Sequence, residues 1–220
     1  MKMMPTFFLI LYGVISVVHL YGSAICNQTV RDLTKPLLMP ALAAFYITST
    51  DAVNPFVVGM IATSWLGDML LMVHGLKWFV SGGVSFLFTH LLLILAYLPK
   101  IGFGARDGWI IAAYLVFGGG LIRSSAKHLK KYLPRATIGM MTGYLAGNAL
   151  MNLFAGMQAL SSPSTGTVLI LVGAFLFLLS DGLLFQVRFN KKAPFYHMHF
   201  NVMLTYILAK FMIVLGFLCN

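Results

Sequence analysis

The chain has 220 residues, of which 60% are apolar and only 9% are charged, against about 25% charged in an ordinary soluble domain. Fifteen Lys and Arg against five acids give a net charge of +10. The basic residues stand mainly between apolar runs, where membrane orientation and anionic head groups account for them, so the charge does not point to nucleic acid. No polar stretch is long enough to fold by itself, and residues 1–220 read as a single transmembrane domain.

The first apolar run, 4–25, follows Lys2 and is too long for a signal-peptide core; no A-x-A site follows it. It reads as a transmembrane helix. Seven further runs follow at 33–49, 53–73, 78–98, 109–123, 137–160, 167–187 and 198–218, each near the ~20 residues that a span requires. Turn residues separate them: Asn54-Pro55, His74-Gly75, Pro99 with Gly102 and Gly104, and Ser161-Ser162-Pro163-Ser164. The predicted fold is an all-α polytopic membrane bundle of about eight helices. The fifth run is the weakest, since it holds Gly118-Gly119-Gly120 and ends at Arg123.

Basic residues set the orientation. Arg31, Lys35, Lys77, Arg123, Lys127, Lys130, Lys131, Arg135, Arg188, Lys191 and Lys192 follow the odd-numbered helices, whereas Lys2, Lys100 and Arg106 lie on the other side. This bias predicts both termini outside and the basic loops in the cytoplasm. The membrane is the inner membrane for a bacterial chain and the endoplasmic reticulum for a eukaryotic one. Cys26 and Cys219 then fall on opposite faces, which argues against a disulfide or a thiolate metal site.

All five acids are aspartates, and Asp32, Asp51 and Asp107 fall in predicted loops. Asp68 and Asp181 lie inside apolar runs instead. A charge at the bilayer centre costs about 2.5–3.5 kcal/mol on insertion scales, which makes such residues functional candidates. Both occur in the pattern x-Leu-(Gly/Ser)-Asp-x-Leu-Leu, on predicted helices three and seven, which run in the same direction. Each lies roughly 10–14 Å along its helix from a basic residue, Lys77 or Arg188, at 1.5 Å per residue. Two carboxyls at matching depth, on helices that can be neighbours, make a plausible pair. The bland alternative is a pair of buried acids held for folding alone.

Other polar residues carry weaker signals. Thr34-Lys35-Pro36 reads as a helix start with Thr34 as cap, which puts Lys35 at the cytoplasmic mouth, able to pair with an acid or a phosphate. Arg188 is seven residues beyond Asp181, on the same face. His90, inside helix four, reads either as a hydrogen-bonded structural histidine or as a catalytic one. His197 and His199 point to different faces and make a poor metal pair. Asn148 and Asn152 share a face of helix six, where interhelical bonding is the simple role. Tyr206 and Lys210 share a face of helix eight, and a buried Lys calls for an anionic partner.

Ordered blocks of the chain resemble the YhhN-type lysoplasmalogenase family of eight-helix membrane enzymes. They are Thr34-Lys35-Pro36-Leu37-Leu38-Met39-Pro40, Leu66-Gly67-Asp68-Met69-Leu70-Leu71, Phe86-Leu87-Phe88-Thr89-His90, and Gly173-Ala174-Phe175-Leu176-Phe177-Leu178-Leu179-Ser180-Asp181. In helix eight the family often has a Tyr-Tyr-x-x-Gln type pattern, whereas this chain reads Thr205-Tyr206-Ile207-Leu208-Ala209-Lys210. The resemblance implies hydrolysis of the vinyl-ether bond of lysoplasmalogens to a fatty aldehyde and glycerophospho-ethanolamine or -choline. The expected partners are a lysophospholipid substrate and the bilayer, with no cofactor and no metal.

The residues suit that chemistry. Cleaving a vinyl ether means protonating its distal alkene carbon, then capturing the oxocarbenium ion with water. That calls for one protonated and one ionised carboxyl, as glycosidases arrange around a related transition state. Asp68 and Asp181, in an apolar bundle, suit sharing one proton, and either fits either role. Lys35, Arg188, His90, Tyr206, Lys210 and Asn148 are the expected substrate-binding residues. Two rivals use the same acids. An ion-coupled transporter would bind a proton or cation there. An intramembrane aspartyl protease is echoed by Leu66-Gly67-Asp68 and Pro40-Ala41-Leu42, although here the Pro-Ala-Leu precedes both Asp helices.

Overall fold

A computed structural model of the protein describes residues 3–102, 104, 107–130, 135–189 and 198–220. Lys2, Arg106, Lys131, Lys191, Lys192 and His197 lie outside the described residues. Every regular element among the described residues is helical. The helices are α1 (Met3–Ala24), α2 (Gln28–Ser49), α3 (Pro55–Met72), α4 (Leu76–Tyr97), α5 (Asp107–Leu129), α6 (Arg135–Ser161), α7 (Thr165–Phe189) and α8 (Met198–Leu218), with a 3₁₀ turn at Leu98–Lys100. Their positions follow the eight apolar runs. Five of them, α1, α3, α4, α7 and α8, are long and apolar enough to cross a membrane. Apolar side chains also face outward: α1 exposes Phe7, Ile10, Val14 and Val17 at helical spacing, a surface suited to hydrocarbon rather than water.

Sequence-adjacent helices form three tightly packed hairpins, α1–α2, α3–α4 and α7–α8, while α6 joins α4 and α7 and carries α5 on its outer side. The closest approach is α7 on α8, and glycine permits it. A side-chain carbon at Gly216 would come 2.6 Å from the Gly166 carbonyl, and one at Gly173 would come 2.9 Å from the Ala209 carbonyl. Small residues give membrane helices this contact, which larger side chains would block. Helix α8 also packs on α1 and α2; Tyr12 donates to the Ile207 carbonyl at 3.0 Å to fix α1 against it.

Helix α2 starts earlier than the sequence predicts. Asn27 is its N-cap, accepting from the Val30 N–H at 3.1 Å, so Thr34 is an interior residue and Pro36 and Pro40 both lie within the helix. Asp32 is therefore helical rather than in a loop, and accepts from Gln28 Nε2 at 2.7 Å. A proline inside a helix removes the N–H that its i−4 carbonyl needs. For Pro40 that carbonyl belongs to Pro36, and Trp65 of α3 donates its indole N–H there at 2.9 Å. The indole thus replaces the lost backbone bond and ties α3 to α2 one turn before Asp68.

Candidate active site

The two aspartates are buried, Asp68 at 3% exposure and Asp181 at 5%. Helices α3 and α7 are not packed on each other as the sequence reading allowed. Side chains of α4 and α8 stand between them: Phe86 packs edge-on to both Phe177 and Tyr206. No hydrogen bond joins the two carboxyls; each has its own set of partners.

Asp68 has a cation and a phenol. Lys35 Nζ is 3.3 Å from Oδ1, and the Tyr206 hydroxyl donates to Oδ2 at 2.7 Å. Both oxygens are thus engaged, one by a charge. Lys35 reaches this position because α2 begins at Gln28, which sets Lys35 about two turns inside the helix rather than at its mouth.

Asp181 has neutral company. The Tyr144 hydroxyl donates to Oδ2 at 2.7 Å, and the Asn148 side-chain amide donates to the same oxygen. Asn152 in turn donates to Asn148 Oδ1 at 2.9 Å and fixes its amide. Tyr144, Asn148 and Asn152 are four apart, so one face of α6 supplies the whole set. Asp181 Oδ1 takes no hydrogen bond from a described residue. His90 Nε2 lies 3.9 Å from Oδ2, beyond hydrogen-bond range. Of the two readings of His90, the hydrogen-bonded structural one is therefore not found: neither ring nitrogen has a hydrogen-bond partner, and the ring is held between Tyr144 and Phe177.

Lys210 also departs from expectation. It is fully buried and its ammonium makes no hydrogen bond. No carboxylate stands at contact distance; Nζ lies 3.6 Å from the centre of the Phe177 ring, with Phe86 and Tyr206 at 5.8 and 5.5 Å. Aromatic faces attract a cation through their quadrupole, and here they replace the expected anion.

Two cavities meet at this point. The first, of about 400 Å³, is polar and lined by residues including Arg31, Lys35, Arg188, His74, His199 and Tyr206, with both Asp68 and Asp181 in its wall. The second, of about 310 Å³, is apolar and runs between α4 and α6 among Val84, Leu87, Met140, Met141 and Phe185. Asp181, Phe86, Phe79, Leu71 and Leu184 line both. Of the predicted binding residues, Lys35, Arg188 and Tyr206 line the polar cavity; His90, Asn148 and Lys210 line neither and stand behind the carboxyls. Arg188 places its guanidinium 5.6 Å from the Phe79 ring centre. His199 receives Arg31 Nη2 at 3.4 Å. Sequence reading missed Tyr144 and His19. The four-residue step from Tyr144 to Asn148 was the signal for the first, and a lone His inside an apolar run was the signal for the second.

Comparison with known proteins adds one finding. The model of the YhhN family matches residues 30–217, a stretch that contains both aspartates and every helix from α3 to α7. No curated protein and no solved structure matches the chain.

Proposed function

The chain belongs to the YhhN family, and on that premise we propose that it is a membrane hydrolase that cleaves the vinyl-ether bond of lysoplasmalogens. All eight helices span the membrane in this reading, with the basic loops cytoplasmic. The observation that carries it is the junction of a cation-lined cavity with an apolar one at Asp181. A one-chain phospholipid has the same division. Its phosphate suits Arg31, Lys35 and Arg188, its hydrocarbon chain suits the Leu, Met and Phe walls, and the bond between them comes to the carboxyls.

The two roles follow from the partners. Asp68, paired with the Lys35 ammonium, is the ionised carboxylate. Asp181 has only neutral donors, both on Oδ2, so the proton sits on Oδ1, the oxygen left for substrate. Asp181 delivers that proton to the distal alkene carbon, leaving an oxocarbenium ion. Asp68 takes a proton from water as its oxygen bonds to the cationic carbon, which gives a hemiacetal. Asp181, now a carboxylate, removes the hemiacetal hydroxyl proton, Asp68 returns its proton to the departing glycerol oxygen, and the carbon–oxygen bond breaks. The products are an aldehyde and an alcohol, one water is consumed, and both carboxyls regain their starting states. General acid–base steps of this kind contribute about 10²–10⁴-fold each.

The test offers purified protein equal concentrations of 1-alkenyl, 1-alkyl and 1-acyl lysophospholipids and measures aldehyde, alcohol and fatty acid. Only the alkenyl compound has a carbon to protonate, so aldehyde is expected from it alone, with the other two acting as competitive inhibitors. Fatty acid released from the acyl compound at a comparable rate would overturn the vinyl-ether assignment. No turnover of any of the three, with proton flux in liposomes, would transfer the carboxyl pair to a transporter.

A further inference from the structure

The polar cavity has one more buried group, and the carboxyl chemistry leaves it unused. His19, on α1, is 1% exposed and lines the cavity on the side of Arg31 and Lys35. Its Nδ1 lies 2.7 Å from Thr34 Oγ1. A threonine hydroxyl has a single hydrogen, and that of Thr34 is directed to the Val30 carbonyl at 2.7 Å. With its hydrogen so placed, the oxygen accepts toward His19, the ring proton is on Nδ1, and the neutral imidazole has a bare lone pair at Nε2. That nitrogen is buried and has no hydrogen-bond partner in the protein. A buried acceptor without a donor is costly, and on a residue that lines a cavity it suits a ligand that brings the donor.

The surroundings select the donor. Arg31 and Lys35 line the same cavity. An ammonium donor would meet these two cations; a neutral hydroxyl would not. Lys35 also bonds Asp68, so the His19 side of the cavity adjoins one of the reacting carboxyls. On a one-chain phospholipid with the phosphate at the cations and the vinyl ether at the carboxyls, the group between them is the free hydroxyl of the middle glycerol carbon.

We propose that His19 Nε2 accepts a hydrogen bond from the sn-2 hydroxyl of the substrate, making His19 the residue that selects lysolipids over lipids acylated at that oxygen. Thr34 acts through it, as a positioning residue that fixes the tautomer. An acylated oxygen has no hydrogen to give, and its ester would set a second acceptor against the lone pair. This inference rests on the lysolipid reading of the same cavity.

The test uses a 1-alkyl lysophospholipid, which is not cleaved, and its 2-deoxy counterpart, with binding of each measured on purified protein. Turnover of the matching 1-alkenyl pair is measured in parallel. The unaltered protein is expected to bind the hydroxyl probe about 2–10-fold more tightly than the deoxy probe, the range for one neutral hydrogen bond. His19→Phe should bind both probes alike, at the deoxy level. His19→Gln, which keeps an acceptor oxygen, should restore part of the gap. Thr34→Val, which releases the tautomer, should narrow it. Equal binding of the two probes by the unaltered protein would overturn the proposal, as would a full gap in His19→Phe. If His19→Phe does not fold, a full gap in Thr34→Val overturns it instead. A probe gap without vinyl-ether turnover would refute the reaction and leave the hydroxyl site standing; turnover without a gap would do the reverse.

Discussion

Asp68 and Asp181 occupy almost the same local sequence, and their surroundings differ. Both follow Leu and a small residue and precede x-Leu-Leu, and both are buried. Asp68 meets an ammonium from α2 and a phenol from α8. Asp181 meets a phenol and an amide, both from α6. A repeated motif therefore delivers two carboxyls to one cavity wall, and the partner helices give one of them a cation at contact distance and the other neutral donors.

Removing either acid should have the largest effect. Asp68→Asn and Asp181→Asn are each expected to lower turnover of a 1-alkenyl lysophospholipid by about 10²–10⁴-fold, with the elution profile and helical signal in detergent unchanged. Near-normal turnover in either variant removes that acid from the chemistry, and loss of folding in both makes the pair structural. Lys35→Met comes next. It leaves Asp68 without its cation, and a charge-assisted bond is worth about 1.5–3 kcal/mol, so kcat/KM should fall about 10–100-fold while Lys35→Arg retains part of it. On the Asp181 side, Tyr144→Phe and Asn148→Ala each remove a neutral bond of about 0.5–1.5 kcal/mol; the expected loss is about 2–10-fold. Losses there as large as for Lys35→Met would erase the contrast between the two carboxyls.

The smallest effect is expected at Lys210. Its ammonium is buried among rings with no hydrogen bond, and replacing a buried charge by an apolar side chain of similar volume is often neutral or stabilising. Lys210→Met should melt at the same temperature or higher in a detergent-based thermal assay and should change kcat/KM by no more than a few-fold. A large loss of activity in a stable variant would make Lys210 a third electrostatic partner of the pair.

The helices were legible because about 20 consecutive apolar residues are a strong signal on their own. The aspartates were legible because charge inside such a run is costly. Which faces turn inward was much harder to read, since these helices are apolar nearly all round and periodicity gives little help. Nothing in the apolar pattern of α6 therefore marks Tyr144 as the residue that faces Asp181. The start of α2 was misplaced because Pro36 is a strong signal for a first turn; the structure keeps it inside and satisfies the Pro36 carbonyl from Trp65, a residue 29 positions away. His19 lies in α1, whose sequence signal is its apolar length. Its meaning comes from Thr34 and Val30 on another helix, a relation that no pattern within α1 carries.

The apolar cavity lies between α4 and α6, and Val84, Leu87 and Met140 in its wall are 48%, 41% and 46% exposed on the outer surface. With all eight helices spanning the membrane, as proposed, it would be a side opening toward hydrocarbon, whereas the cavity lined by Arg31 and Arg188 is polar. In the proposed reaction, cutting the bond at their junction makes one product that is only oily and one that is only hydrophilic. The aldehyde then partitions sideways into the bilayer, and the glycerophospho-alcohol, which has lost its only anchor, dissolves in water. Recombination would need both to return at once from different phases. Hydrolysis is thus made effectively one-way by where the products go, with no moving part required to expel them.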